Sequence, residues 1–251
     1  MAELNVSKVL PLVRLLAILS LALAAPLASA QRPFATADEL GRWVTYYYLK
    51  PEPFRIPAAV VAASRLGLLK NLEATPPFFG FIAGILEKEP SIAHFLVERM
   101  DQVAEADRPV VILGIWYSGH ADTPRLMETI SKRFPKHKPM ISKLGAKGFR
   151  IVQIPLDRGA WLVDALWGYF MATGEELPVT RIISTLPWSE LKDSTTKMST
   201  AQSARWSLAA NAAQHVRVME ILNAQQNSQP PEVAGALKEI ISKAGSATPK
   251  K

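Results

Sequence analysis

Between Glu128 and Asp157 the chain carries seven cations and no acid: Lys132, Arg133, Lys136, Lys138, Lys143, Lys147 and Arg150, with His137 and Phe149 among them. Like charges gathered on one segment raise the local concentration of anionic partners and speed their encounter. The chemistry on offer is recognition without bond-breaking. Its object is a polyanion: an anionic polymer of the cell envelope, or an anionic membrane surface, where each nearby cation contributes about 1 kcal/mol. A solvated loop kept soluble by lysines accounts for the same residues. Nucleic acid is not expected, since no stacking motif accompanies the charges and the chain opens with an export signal described below.

Groupings suited to bond-breaking are weaker. Ser118, His120 and Asp122 place a hydroxyl, an imidazole and a carboxylate close together in sequence. A nucleophile elbow, however, needs a G-x-S-x-G turn that the chain lacks, and Asp122 with Thr123 ahead of Pro124 reads as a helix cap. His94 and His215 fall at or near the openings of predicted helices, without the i, i+4 pairing of a helical zinc site. Acids at Glu87 and Glu89, and at Glu175 and Glu176, serve glycoside hydrolysis only if two carboxyls from separate elements converge. Acids beside helix starts are also what the helix dipole favours. The sequence has no cysteine, which excludes disulfides, thiolate metal sites and a catalytic thiol. No phosphate-cradling glycine loop is present, and Gly80 and Gly84 read as close-packing positions. No catalytic residue and no metal or cofactor ligand is assigned.

The elements that must hold these residues read as helices almost throughout. Apolar residues recur at intervals of three and four, most clearly at Trp161, Leu162, Ala165, Leu166, Tyr169 and Phe170. A second stripe, Val233, Ala236, Leu237, Ile240 and Ile241, follows Pro230 and Pro231. Only residues 151–154 read as a short extended piece. Above the stripes lies a cruder regularity, centred on Phe81, Trp116, Trp167 and Trp206: a helix with an aromatic residue, a short turn, then a second helix. Pro90, Pro124 and Pro178 stand where second helices should open, since a locked φ and a missing N–H are harmless there. Gly119 and Gly174 stand where first helices should end.

The aromatic centres are 35, 51 and 39 residues apart, intervals resembling the roughly 34 to 47 residues of helical-hairpin arrays. The expected fold is all-α: antiparallel helical hairpins, either a degenerate repeat stack or an irregular helical domain in which short loops favour hairpins. One domain is expected over 31–245, broken by a long basic loop at 131–159, where prolines and glycines predict irregular chain. A frayed tail is expected over 246–251. Trp167 and Trp206 are expected in the core. Trp43, Tyr46, Tyr47, Tyr48 and Phe54, with Phe78, Phe79 and Phe81, read as core packing, a binding groove being the other reading.

The first thirty residues stand apart. Lys8 and Arg14 precede an apolar run that ends at residue 25, and Ala28 and Ala30 put small residues at −3 and −1 of a cut before Gln31. This is the order of a secretory signal peptide, with an apolar core well short of the ~20 residues of a membrane-spanning helix. Cleavage after Ala30 removes Glu3, Lys8 and Arg14 from the 22 acidic and 29 basic residues, leaving a net charge of +6.

Two stretches, DALWGYFMATGEELPVTRII over 164–183 and ARWSLAANAAQHVRVMEIL over 204–222, resemble segments shared by a group of exported helical bacterial proteins without known function. The resemblance covers the C-terminal third and implies a bacterial envelope setting; it brings no catalytic or ligand residue. The expected function is an exported, periplasmic or secreted, non-enzymatic helical scaffold that binds a protein or an anionic envelope polymer, since paired helices present extended faces. The alternatives are a cell-envelope hydrolase with carboxylates converging from separate helices, and a peripheral binder of anionic membrane through residues 132–150.

Overall fold

A computed structural model of the chain describes residues 33–70, 75–145, 147–191 and 193–246. The predicted signal peptide, with its cut site at Ala28, Ala30 and Gln31, lies outside the described residues, as does the tail beyond Ser246. The fold is all-α, as the periodicity predicts. Twelve α-helices form among the described residues: α1 (Ala37–Thr45), α2 (Ile56–Arg65), α3 (Pro76–Lys88), α4 (Ile92–Arg99), α5 (Arg108–Tyr117), α6 (Thr123–Arg133), α7 (Lys138–Leu144), α8 (Trp161–Thr173), α9 (Glu176–Ile183), α10 (Thr195–Gln214), α11 (Val216–Gln226) and α12 (Pro231–Ser246). None of them is long and apolar enough to cross a membrane. No strand forms among the described residues. Residues 151–154, read as extended, instead contain a 3-10 turn at Ile151–Gln153, next to an isolated antiparallel bridge between Ser118 and Arg150.

Helix ends follow local sequence signals. Thr36 caps α1 by accepting from the Glu39 N–H, and Ser194 caps α10 by accepting from Lys197. Pro124 and Pro178 sit in the first turns of α6 and α9, and Pro90 lies just ahead of α4. Gly174 ends α8 in the left-handed conformation, with φ 65°. Ser246 still belongs to α12, so the helix extends one residue into the predicted tail.

The frame is the packing of α3 against α8, far apart in sequence. Both are apolar on nearly every side, the mark of a helix buried all round. In α8, Leu162, Val163, Leu166, Trp167, Tyr169 and Phe170 are buried; in α3, Phe79, Phe81, Ile82, Ile85 and Leu86 are. Their backbones touch through two glycines. A Cβ on Gly80 would overlap the Ala165 carbonyl, and one on Gly168 the Pro77 carbonyl. Helices α9 to α12 fill out one hydrophobic cluster, while α4, α6 and α7 belong to an adjoining second. Sequence neighbours still pair, α8 with α9 and α10 with α11. Because the dominant pairing is long-range, the aromatic centres need no strict period.

Those centres have different fates. Trp167 is buried, at 6% exposure, whereas Trp206 is 70% exposed. This corrects the expectation of a core Trp206. Helix α10 buries Thr200, Ala201, Ala204, Ser207 and Leu208, and at 100° per residue position 206 lies opposite that stripe. The N-terminal aromatic cluster also divides. Trp43, Tyr47 and Phe81 pack edge to face, with Tyr47–Phe81 centroids 5.2 Å apart, while Tyr46 and Phe54 reach solvent. Burial pushes the Tyr47 hydroxyl up to about 12.

Candidate functional site

The predicted basic loop at 131–159 is built mostly of short helices. Ser131, Lys132 and Arg133 close α6, a 3-10 turn at Pro135–His137 follows, and Lys138 and Lys143 belong to α7. Turns at Ile151–Gln153 and Leu156–Arg158 then carry the chain to α8. Prolines and glycines signalled the breaks correctly, but they do not reveal anchors. Phe134, Ile141, Ile151, Val152 and Leu156 are buried, and the Arg181 guanidinium of α9 donates to the carbonyls of Val152 and Ile154. Burial is what turns this stretch from loop into structure.

Four of the seven cations are neutralised within the molecule. Lys132 pairs with Glu128 at 2.6 Å and Lys136 with Glu105 at 2.9 Å; Arg133 meets Asp101 and Arg150 meets Glu87. Lys136 and Lys132 hold the Glu105 and Glu128 carboxyls below the usual carboxylate range. Such surface pairs stabilise the fold by only about 0–1 kcal/mol each, yet they cancel much of the field of their cations. Lys138, Lys143 and Lys147 have no acidic partner among the described residues. The uncompensated positive charge is therefore smaller than the sequence run suggests.

Two clefts border this segment. The first, about 570 Å³, lies between α6 and α7, with Met127 and Ile141 in its wall and Lys132 and Lys138 beside them. The second, about 480 Å³, opens where α5 ends and is lined by Trp116, Tyr117, Phe149, Pro155, Arg158 and Trp161, among others. Trp116 Nε1 donates to the Gly145 carbonyl at 3.3 Å, and Gly145 lines the first cleft. This hydrogen bond links the wall of one cleft to the wall of the other.

The second cleft is walled by rings. Trp116 meets Tyr117 edge-on at 4.9 Å and Phe149 at 5.4 Å, and Tyr117 lies 6.1 Å from Trp161. Phe149 is 56% exposed, but its backbone is held: its N–H donates to the Trp116 carbonyl at 3.0 Å. Next to it, Arg150 bridges to Ser118 and pairs with Glu87. Trp161 Nε1 donates to the Arg158 carbonyl at 2.9 Å. With both indole N–H groups turned to protein carbonyls, what the tryptophans offer the cleft is ring surface. Sequence reading placed Trp116 and Trp161 in helices and missed their convergence. The one local hint was Phe149, an aromatic residue alone among charges.

The other candidates disperse. Ser118 Oγ donates to the Ile115 carbonyl at 2.6 Å, and His120 Nδ1 accepts from the Asp122 backbone N–H at 3.0 Å. His120 Nε2 is left to donate to the Pro90 carbonyl at 3.1 Å, so no triad relay links the three side chains. Asp122 sits at the N-cap of α6, yet its carboxylate serves Arg125 at 2.6 Å instead of the helix backbone. That bond holds the Asp122 carboxyl below its usual range. No group of three or more potential metal ligands forms among the described residues.

The acidic pairs separate as well, and one carboxylate from each regroups. Glu89 accepts from Ser91 and Glu176 from Gln225. Glu87 and Glu175 approach the Tyr169 hydroxyl from different elements, Glu175 at 3.4 Å, and burial followed by the charge of Glu87 drives that hydroxyl far above its usual range. Each carboxylate is matched by a cation, Glu87 by Arg150 and Glu175 by Lys88, and neither borders the two clefts. The arrangement ties α3, α8 and the 150 region together. His215 is 1% exposed at the junction of α10 and α11, with Nδ1 3.2 Å from the Tyr48 hydroxyl. No family model, no curated protein and no solved structure matches the chain.

Proposed function

We propose that the chain is a non-enzymatic helical scaffold of the cell envelope that binds an extended anionic polymer along its α5–α7 face. The observation that supports it is the pair of clefts whose walls are linked by the Trp116–Gly145 hydrogen bond, each with cations beside it. Lys138 borders the first cleft and Arg158 the second, and neither has an acidic partner among the described residues. Two linked clefts, each with its own cation, suit an extended chain better than a compact ligand. The export expectation rests on the sequence of the first thirty residues and supplies the envelope setting.

The test is binding of the full chain to an isolated anionic cell-wall polymer across a salt series. Affinity should fall steeply with salt, because exposed charges are screened within about 10 Å at 0.1 M. Lys138→Glu with Arg158→Glu should weaken it further. Salt-independent binding, or reversals without effect, would overturn the reading. Tighter binding to anionic vesicles than to the polymer would replace it with membrane association.

A further inference from the structure

We infer that the ring-walled cleft at the end of α5 is a subsite for a sugar ring bearing a carboxylate, that is, a hexuronate unit of an anionic glycan. This rests on the polymer reading above and names the chemistry of the polymer. The cleft, at about 480 Å³, falls within the roughly 300 to 1,000 Å³ of ordinary small-ligand sites. Its walls present ring surface, because Trp116 and Trp161 commit their N–H groups to the carbonyls of Gly145 and Arg158. Burial also pushes the Tyr117 hydroxyl up, so it stays uncharged. The charge at the rim comes from the exposed Arg158, with the exposed amide of Gln153 beside it.

A pyranose ring has the matching pattern. Its C–H faces are apolar and stack on aromatic rings, while its hydroxyls and carboxylate project from the edge, where a guanidinium and an amide can meet them. Phe149 is well suited to be the platform. It is exposed, yet its backbone is pinned by Trp116 on one side and by the Arg150 bridge to Ser118 on the other. An ordered, exposed ring loses little freedom when a ligand settles on it. Lys138 lines the neighbouring cleft, so the next acidic sugar of a chain lying across both clefts would meet a second cation.

The experiment titrates the full chain with a galacturonate oligosaccharide and with poly-L-glutamate of equal charge at one ionic strength, reading affinity and indole fluorescence. The sugar should bind about tenfold more tightly than the peptide and change the fluorescence, because only it can stack. Phe149→Ala, at an exposed position, should remove about five- to tenfold of the sugar affinity and leave the poly-L-glutamate affinity unchanged. Arg158→Gln should weaken both. Equal binding of the two polymers, unaffected by Phe149→Ala, overturns the sugar subsite and leaves the polyanion reading standing. Binding of neither overturns both. A thymidine oligonucleotide that binds more tightly than the galacturonate, with the same loss in Phe149→Ala, overturns the sugar assignment in favour of a stacked base.

Discussion

The α3–α8 pair and the α6–α7 face carry opposite kinds of contact. In the first, backbones approach until Gly80 and Gly168 are the only residues that fit, and long apolar side chains fill both flanks. In the second, Lys132 pairs with Glu128 within α6, and Arg133 and Lys136 reach Asp101 and Glu105 at the surface, over buried Met127, Phe134 and Ile141. Close packing depends steeply on distance, whereas ion pairs in water are weak and tolerant of geometry. The central pair therefore governs stability. The outer face can change its charges at little cost to the fold.

The sharpest way to break this contrast is Gly168→Ala. A methyl group there would meet the Pro77 carbonyl, a backbone atom that cannot swing aside. The loss should exceed about 4 kcal/mol, in the exceptional range for one substitution. Denaturant unfolding measures it, and a loss under about 1 kcal/mol would remove the α3–α8 contact as the frame.

Trp167→Ala should come next, at roughly 3 to 5 kcal/mol, for the cavity it leaves. Trp167 Nε1 is buried without a hydrogen-bond partner. Trp167→Phe, which deletes that donor, should then cost clearly less than Trp167→Ala in the same unfolding assay. Similar costs for the two would mean that the indole N–H is satisfied.

Each region also holds a histidine whose pKa is lowered by burial: His215 beside the core and His137 beside α7. The fold therefore takes up these protons at lower pH than the unfolded chain, which protonates its histidines near pH ~6.5. Below that pH the unfolded state binds protons that the folded state does not, so stability falls with acidification. The decline stops only where the folded histidines themselves protonate. Thermal midpoints should drop between pH 7 and pH 5, and His215→Asn should flatten the drop without abolishing it. An unchanged slope in that variant would assign the acid limb elsewhere.

The smallest effects belong to the surface. Trp206→Ala should change stability by less than about 1 kcal/mol, since the ring is mostly exposed. Replacing Lys136, Lys138 and Lys143 together by Ala breaks one ion pair, Lys136–Glu105, and should also cost under about 1 kcal/mol. A large loss from the lysine variant would show that the outer face carries structure through its charges, against the contrast drawn above.

Trp167 and Trp206 show how far the sequence could be read. Both follow the same pattern of an aromatic residue on a helix ahead of a short turn, yet one is buried and the other is not. Periodicity identifies an apolar face only when large residues mark it. In α10 the inner face is made of Ala201, Ala204, Ser207 and Leu208, so the bulky tryptophan marks the wrong side. The run at 131–159 reads as loop for a related reason. Its breaks are local, but its anchors, Arg181 on Val152 and Ile154 and Arg150 on Glu87, come from distant parts of the chain.

What the sequence by itself determined is what depends on near neighbours: the all-α class, the helix ends marked by Pro90, Pro124, Pro178 and Gly174, and the positions of seven cations. Such features follow from φ preferences, missing N–H groups and a 3.6-residue period, all local quantities. Only the tertiary structure decided which cations stay uncompensated, that Glu87 and Glu175 share Tyr169, and that Trp116, Tyr117, Phe149 and Trp161 form one cleft. Each of these outcomes needs side chains from separate elements within a few ångströms, and that proximity follows from how α3 and α8 pack.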